Sequence, residues 1–383
     1  MATLIMDGFV IESRNADEPQ WMNQVRSLAR MIGIPLFVTL GVLLPEMWPK
    51  GQSHVAPAST VQTLTIESEI LKGNPMHDST SRKMAVFLSK GYSPDKQLPV
   101  VFYLPGFGGG PDDFLQGPGF WLEFVDKLAA SVGPLAFVVV DGKNRFGCSQ
   151  YIDSPASGNY AQYICKEVVP FVERQLHVGG TASRRIIAGH SSGGFGALRL
   201  GMAYQEIFGH VVALSPDSDF ELSHKPFTVN ADTKKLSLSR FREFLPPTLA
   251  PISQQDGDIG YAIALCACYA SDPAGPLGAF KWFYDANGVY QEDTWKMWLH
   301  NDPLYIVTHT MNPFSHRQSV YCEGPDHDDF QANIGAKLIY QALSKSDVRT
   351  TFYEPPGHHG DHLPERILRG VSWSLRAPTV DIQ

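Results

Sequence analysis

Cysteine is scarce in this 383-residue chain, and its few copies are scattered. The five (Cys148, Cys165, Cys266, Cys268 and Cys322) lack the density and spacing of a disulfide framework. An odd count leaves at least one thiol unpaired, and Cys266-x-Cys268 is too isolated to argue a zinc site. One or two disulfides remain open to an exported protein. Long basic runs are missing as well. The 31 Lys and Arg are outnumbered by 39 Asp and Glu, giving a net charge of −8 that argues against a nucleic-acid or anionic-membrane surface. There is no internal repeat and no low-complexity tract.

The apolar run Met31–Leu44 is 14 residues, short of the roughly 20 that a membrane-spanning helix needs. Arg26 and Arg30 precede it, Pro45 follows, and Ala56-Pro57-Ala58 downstream resembles a small-residue cleavage site. Against this, the run starts 30 residues in (unless translation begins at Met22), and Glu46 and Lys50 intervene before the cut. A buried helix is the alternative, and Pro35 and Pro45 count against it. The expectation is a signal- or anchor-like segment over 1–58, export to a periplasmic or extracellular space, and membrane association through that segment only. If the run is not a signal, the protein is cytoplasmic.

What is present is a core-forming composition, 43% hydrophobic and 18% charged, with length for one large α/β domain or two ordinary ones. The alternating stretch Val61–Leu71 and its partner Lys83–Leu88 read as an early hairpin. Buried strands are predicted at Pro99–Leu104, Leu135–Val140, Arg184–Ala188, His210–Leu214, Ser319–Cys322 and Arg349–Tyr353. Helices are predicted at Phe120–Ser131, Tyr160–Leu176, Phe195–Tyr204, Gln331–Leu343 and Leu363–Ser374. Strand alternating with helix implies a mostly parallel sheet covered on both faces. Residues 216–303, rich in proline and aromatics, break the rhythm and read as an insertion over the sheet of a 59–383 domain. Its aromatics, Trp295 and Trp298 among them, suit either a core or a pocket wall.

Gly189-His190-Ser191-Ser192-Gly193-Gly194 fits Gly-x-Ser-x-Gly between a strand and a helix, the sharp turn that lifts a nucleophilic serine above a sheet. Only Ser191 has glycines two residues to either side. A serine hydroxyl needs a histidine to take its proton and a carboxylate to orient that histidine. Late strands run into Asp326-His327-Asp328-Asp329 and into Gly357-His358-His359-Gly360-Asp361-His362, in the required order serine, acid, base. The residues leave Asp326, Asp328 or Asp329 as the acid and His358, His359 or His362 as the base. A metal bound by these loops is the rival chemistry, but Gly357 and Gly360 oppose the helix that a His358/His362 pair would need. Two backbone N–H groups must hold the oxyanion: that of Ser192, and one from the loop Pro105-Gly106-Phe107-Gly108-Gly109-Gly110, with Phe107 first and Gly108 next.

The stretches PVVFYLPGFGGGPDDF (99–114), SGNYAQYICKEVVPFVERQ (157–175) and above all GHSSGGFGAL (189–198) make the chain similar to an esterase family of the α/β-hydrolase superfamily. That family includes esterase D (S-formylglutathione hydrolase), feruloyl esterases, enterochelin esterases and the antigen 85 mycolyltransferases. The resemblance spans roughly residues 60–375. It implies an α/β-hydrolase fold and, by alignment of Gly-x-x-Asp-x-Phe and of EPPGHHGDHLPERI with Gly-x-His-Gly-x-x-Ile-x-x-Arg, points to Asp328 and His359. An extra residue after Gly324 keeps Asp326 open, and Pro105 stands where the family usually has histidine. The expected function is a serine hydrolase of a small-molecule carboxylic ester, needing no cofactor and no metal. The alternatives are an acyltransferase using the same groups and a catalytically silent binding protein.

Overall fold

The computed structural model describes residues 59–229, 257–275, 278–285 and 287–376, together with a two-stranded antiparallel ribbon in which Leu4–Met6 pairs with Phe9–Ile11. The chain divides into two units, Met1–Ala56 and Pro57–Gln383. The apolar run Met31–Leu44 and the cleavage-like Ala56-Pro57-Ala58 lie outside the described residues, as do 230–256 of the insertion.

Eight strands form one sheet: β1 (Thr60–Glu67), β2 (Ser81–Leu88), β3 (Val100–Leu104), β4 (Ala136–Val139), β5 (Arg185–His190), β6 (His210–Leu214), β7 (Ser319–Glu323) and β8 (Arg349–Tyr353), in the spatial order β8-β7-β6-β5-β3-β4-β2-β1. The first hairpin and the β2–β4 pair are antiparallel, and every other pairing is parallel. This is the mostly parallel sheet that the sequence pattern implies. The central strands are apolar without interruption because both faces are covered. Along β3, Val100, Phe102 and Leu104 enter one core and Val101 and Tyr103 the other. On the first face lie the helical segment 160–176, helix α2 (Ser192–Ala203) and helix α5 (Ala332–Leu343). Helices α1 (Pro118–Val132) and α6 (Leu363–Leu375) cover the other.

Two predicted elements differ in detail. β1 stops at Glu67 rather than continuing to Leu71. The Glu167 carboxylate accepts from the N–H groups of Glu69 and Ile70 and from the Ser68 hydroxyl, turning the chain there. The helical segment 160–176 widens to π geometry over Tyr163–Val168. Pro170, which has no N–H to donate, lies two residues beyond it.

The aromatics of 216–303 build a third cluster. Phe220, Phe283, Trp295 and Trp298 are buried in it, with helices α3 (Gly257–Tyr269) and α4 (Glu292–Leu299) contributing. Trp295 and Trp298 are each 1% exposed, so they are core.

Candidate active site

The parallel strands β3, β5, β6, β7 and β8 all deliver their C-terminal ends to one edge of the sheet, and every candidate residue sits on a loop leaving that edge. Ligands of open α/β sheets bind there because the loops converge.

Ser191 joins β5 to α2 with φ 57° and ψ −125°, a conformation that crowds an L side chain and costs on the order of 1–3 kcal/mol. Its backbone is held on three sides. The Ser191 N–H donates to the Leu214 carbonyl at 2.9 Å, and its own carbonyl accepts from Phe195 N–H at 2.9 Å and Asp217 N–H at 3.4 Å. The two glycines flanking it are required by close approach. A Cβ on Gly189 would lie 2.2 Å from the Gly193 carbonyl oxygen, and one on Gly193 would lie 1.8 Å from that of Leu104. A Cβ on Gly106, on the loop after β3, would lie 3.4 Å from the Ser191 Cβ.

The two late loops are registered residue by residue. His359 Nδ1 donates to both oxygens of Asp328, at 2.8 and 3.0 Å, and both residues are buried. Asp328 Oδ1 also accepts from the N–H groups of Phe330 and Ala332, at 3.0 and 3.2 Å. Burial alone would raise the Asp328 carboxyl. The hydrogen bond and charge of His359, the Phe330 N–H and the Ser215 hydroxyl outweigh it and bring the pKa down to about 2. The other aspartates are engaged elsewhere. Asp326 Oδ1 accepts from Gly357 N–H at 3.0 Å, and Asp329 accepts from the His358 ring and from the His359 N–H. His358 is half-exposed, and His362 is the residue preceding α6.

His359 Nε2, the nitrogen not facing Asp328, is buried and has no hydrogen-bond partner among the described residues, Ser191 included. Asp328 and His359 are thus brought together as a pair, while Ser191 stands at the elbow without a bond to them. The ring of Phe330 packs edge-on against His359, centroids 4.7 Å apart. Among the described residues, no group of three or more His, Cys, Asp or Glu is placed to hold a metal ion.

Neither candidate oxyanion donor is committed to a backbone acceptor among the described residues. Ser192 opens α2, so its N–H has no intrahelical acceptor. The Phe107 N–H has no backbone acceptor among the described residues, whereas Gly108 N–H donates to the Gly147 carbonyl at 3.3 Å. Gly108 is thereby occupied. The Phe107 side chain is 37% exposed and meets Tyr261 edge-to-face at 4.9 Å.

Several neighbours were not singled out by the sequence. The Ser192 hydroxyl donates to Asp217 at 2.9 Å and accepts from Gln150 Nε2 at 2.9 Å, and the Tyr261 hydroxyl reaches the same Asp217 oxygen. Burial raises Asp217 to about 6. The polar triplet Ser215-Pro216-Asp217 directly after β6 was the available signal. Arg366, 1% exposed on α6, donates to the His359 carbonyl at 2.8 Å, and the closing Arg of the family pattern Gly-x-His-Gly-x-x-Ile-x-x-Arg was its mark in the sequence.

A model of the family described as "Putative esterase" matches residues 78–360. Among solved structures, a ferulic acid esterase superposes with a TM-score of 0.54 at 19% identity, covering 83% of this chain and 98% of that one. The fluorophosphonate-binding serine hydrolase FphF of Staphylococcus aureus gives 0.52 at 16%, over 83% and 99%. An S-formylglutathione hydrolase from Agrobacterium tumefaciens gives 0.51 at 16%, over 84% and 96%. These likenesses share the α/β-hydrolase fold.

Proposed function

Since the chain belongs to the "Putative esterase" family and is a carboxylic ester hydrolase by that membership, we propose that it cleaves its ester through an acyl-enzyme on Ser191. His359 takes the Ser191 proton as general base and returns it to the leaving alcohol as general acid. Asp328 holds the imidazole with Nδ1 protonated and Nε2 free, and stabilises the imidazolium that forms. The N–H groups of Phe107 and Ser192 receive the oxyanion. Water then attacks the acyl-enzyme, activated by the same imidazole, and Ser191 is regenerated.

The observation that carries this reading is the buried, partnerless His359 Nε2 backed by the Asp328 pair. Orphaned buried ring nitrogens are costly, and this one belongs to the residue that needs a free acceptor face for catalysis. The substrate is a small ester, and the similarity to a ferulic acid esterase supports an aromatic acyl group as one to try. Export is part of the proposal, supported by the apolar run at 31–44 behind Arg26 and Arg30.

The test is hydrolysis of a short-to-long series of p-nitrophenyl esters by wild type and Ser191→Ala, with fluorophosphonate labelling in parallel. Wild type should turn over and label, and the variant should lose about 10³-fold or more in kcat and fail to label. Absence of both activities in wild type would sink the reading.

A further inference from the structure

We propose that Arg366 is a positioning residue for this reaction: its buried guanidinium fixes the backbone of His359 against the ends of β6 and β7, and Glu323 neutralises it so that Asp328 is left to His359. The inference rests on the assignment of Ser191, His359 and Asp328 proposed above.

Arg366 reaches three separate elements. Nε donates to Glu323 Oε1 at the end of β7 (2.9 Å), Nη1 to the His359 carbonyl on the loop after β8 (2.8 Å), and Nη2 to the Ser215 hydroxyl just past β6 (2.6 Å). A planar guanidinium presents its donors in a fixed fork, so three acceptors held this way fix one another's positions. The His359 carbonyl receives a second donor, His190 Nε2, at 2.8 Å. The base is therefore gripped by its main chain while its ring is oriented by Asp328.

The charge arrangement is as specific as the geometry. A buried arginine without a counter-ion is strongly destabilising. Glu323 takes the role. It is fully buried, pairs with Arg366, and also accepts from Arg369 Nη1 at 3.0 Å and from the Tyr321 hydroxyl. Among the described residues Asp328 receives no arginine. Its donors are the His359 ring and the N–H groups of Phe330 and Ala332. The Ser215 hydroxyl accepts from Arg366 and also helps hold the Asp328 carboxyl low. One cation thus ties the base loop to the ends of β6 and β7, while its charge is balanced by Glu323. An arginine paired to Asp328 itself would compete with the imidazole for the carboxylate oxygens.

The experiment uses the full chain and three variants, Arg366→Lys, Arg366→Ala and Ser215→Ala. Steady-state kinetics on p-nitrophenyl acetate are read beside thermal melting and the low-field NMR resonance of the His359 Nδ1 proton. Lysine keeps the charge but places one ammonium where three directed donors stood. Arg366→Lys should lower kcat about 10²-fold with KM changed less than about threefold, and should broaden or abolish the low-field resonance. Ser215→Ala should cost about tenfold in kcat and shift that resonance. Millimolar guanidinium should restore part of the kcat of Arg366→Ala. A folded Arg366→Lys with wild-type kcat and resonance overturns the proposal, as does a loss confined to KM. If both Arg366 variants fail to fold, Ser215→Ala decides, and an unchanged kcat and resonance overturn it. A wild type that shows the resonance, loses it in the variants, yet neither hydrolyses esters nor labels with fluorophosphonate would sink the esterase reading and leave the positioning role intact.

Discussion

The imidazole of His190 lies 4.6 Å from that of His359, centroid to centroid, and donates from Nε2 to the His359 carbonyl. The residue preceding the nucleophile is therefore bonded to the residue that would activate it, across 169 positions of sequence. A carbonyl can only accept, so His190 carries its proton on Nε2. Burial, reinforced by the coulombic effect of His359 and Arg366 beside it, holds its pKa well below the usual histidine range and keeps it neutral. His190→Phe, which keeps a flat ring and removes the donor, should lower kcat about tenfold with little change in KM. His190→Gln, which keeps an N–H donor, should recover part of that loss.

The three aspartates of the acid loop are separable by kinetics. Asp328→Asn, which removes the charge facing His359, should cut kcat about 10³–10⁴-fold. Asp326→Asn and Asp329→Asn disturb a Gly357 N–H and the His358 ring, and should stay within about tenfold of wild type. Measuring all three on one p-nitrophenyl ester checks the assignment. A larger loss at Asp326 than at Asp328 would contradict it.

Gly193→Ala should be among the most damaging single substitutions in the chain. Its Cβ would meet backbone, the Leu104 carbonyl, and backbone in the centre of a sheet cannot yield cheaply. A loss of at least about 3 kcal/mol is expected, read as a fall in the urea midpoint.

Asp217 gives a pH signature in stability. Its carboxyl is raised to about 6 by burial, against about 3.9 in an unfolded chain. The folded state therefore binds the extra proton between those values, and the contribution of this group to stability falls as pH rises from about 4 to about 6. Asp217→Asn removes that slope. Relative to wild type, it should gain up to about 3 kcal/mol as pH rises through that window and change little further above it. Urea melts at pH 4, 5, 6 and 7.5 check this.

The aromatic region after β6 is tested at Trp298. Trp298→Ala should destabilise by about 3–5 kcal/mol, as for a buried large-to-small change. Met311→Ala, at an 89% exposed position, should be within about 0.5 kcal/mol of wild type.

The alternation of strands and helices was legible because the central strands are buried on both faces and leave uninterrupted apolar runs. Ser191 was legible because the elbow demands glycine at 189 and 193 for close backbone contact. The acid loop was not resolved by its own residues. Three aspartates within four positions are chemically alike, and what separates them is the register of the β7 loop on the β8 loop, a long-range pairing. Resemblance to a family singled out Asp328 and His359, and the observed pair joins those two. Arg366 closes the pattern Gly-x-His-Gly-x-x-Ile-x-x-Arg, but its role was hidden for a different reason. A charged residue on an amphipathic helix reads as solvent-facing, and only its three partners on other elements reveal why it lies inside.

All five cysteines are free and buried, and burial pushes Cys148 and Cys322 up to about 12. Thiolate, the form that thiol reagents attack, is therefore both rare and shielded in the folded chain. The native protein should be silent to a colorimetric thiol titrant that reads all five groups in denaturant. Labelling speed then becomes a clock for opening events: each thiol reacts only as fast as the part of the molecule around it comes apart, and the order in which the five appear would map which part opens first.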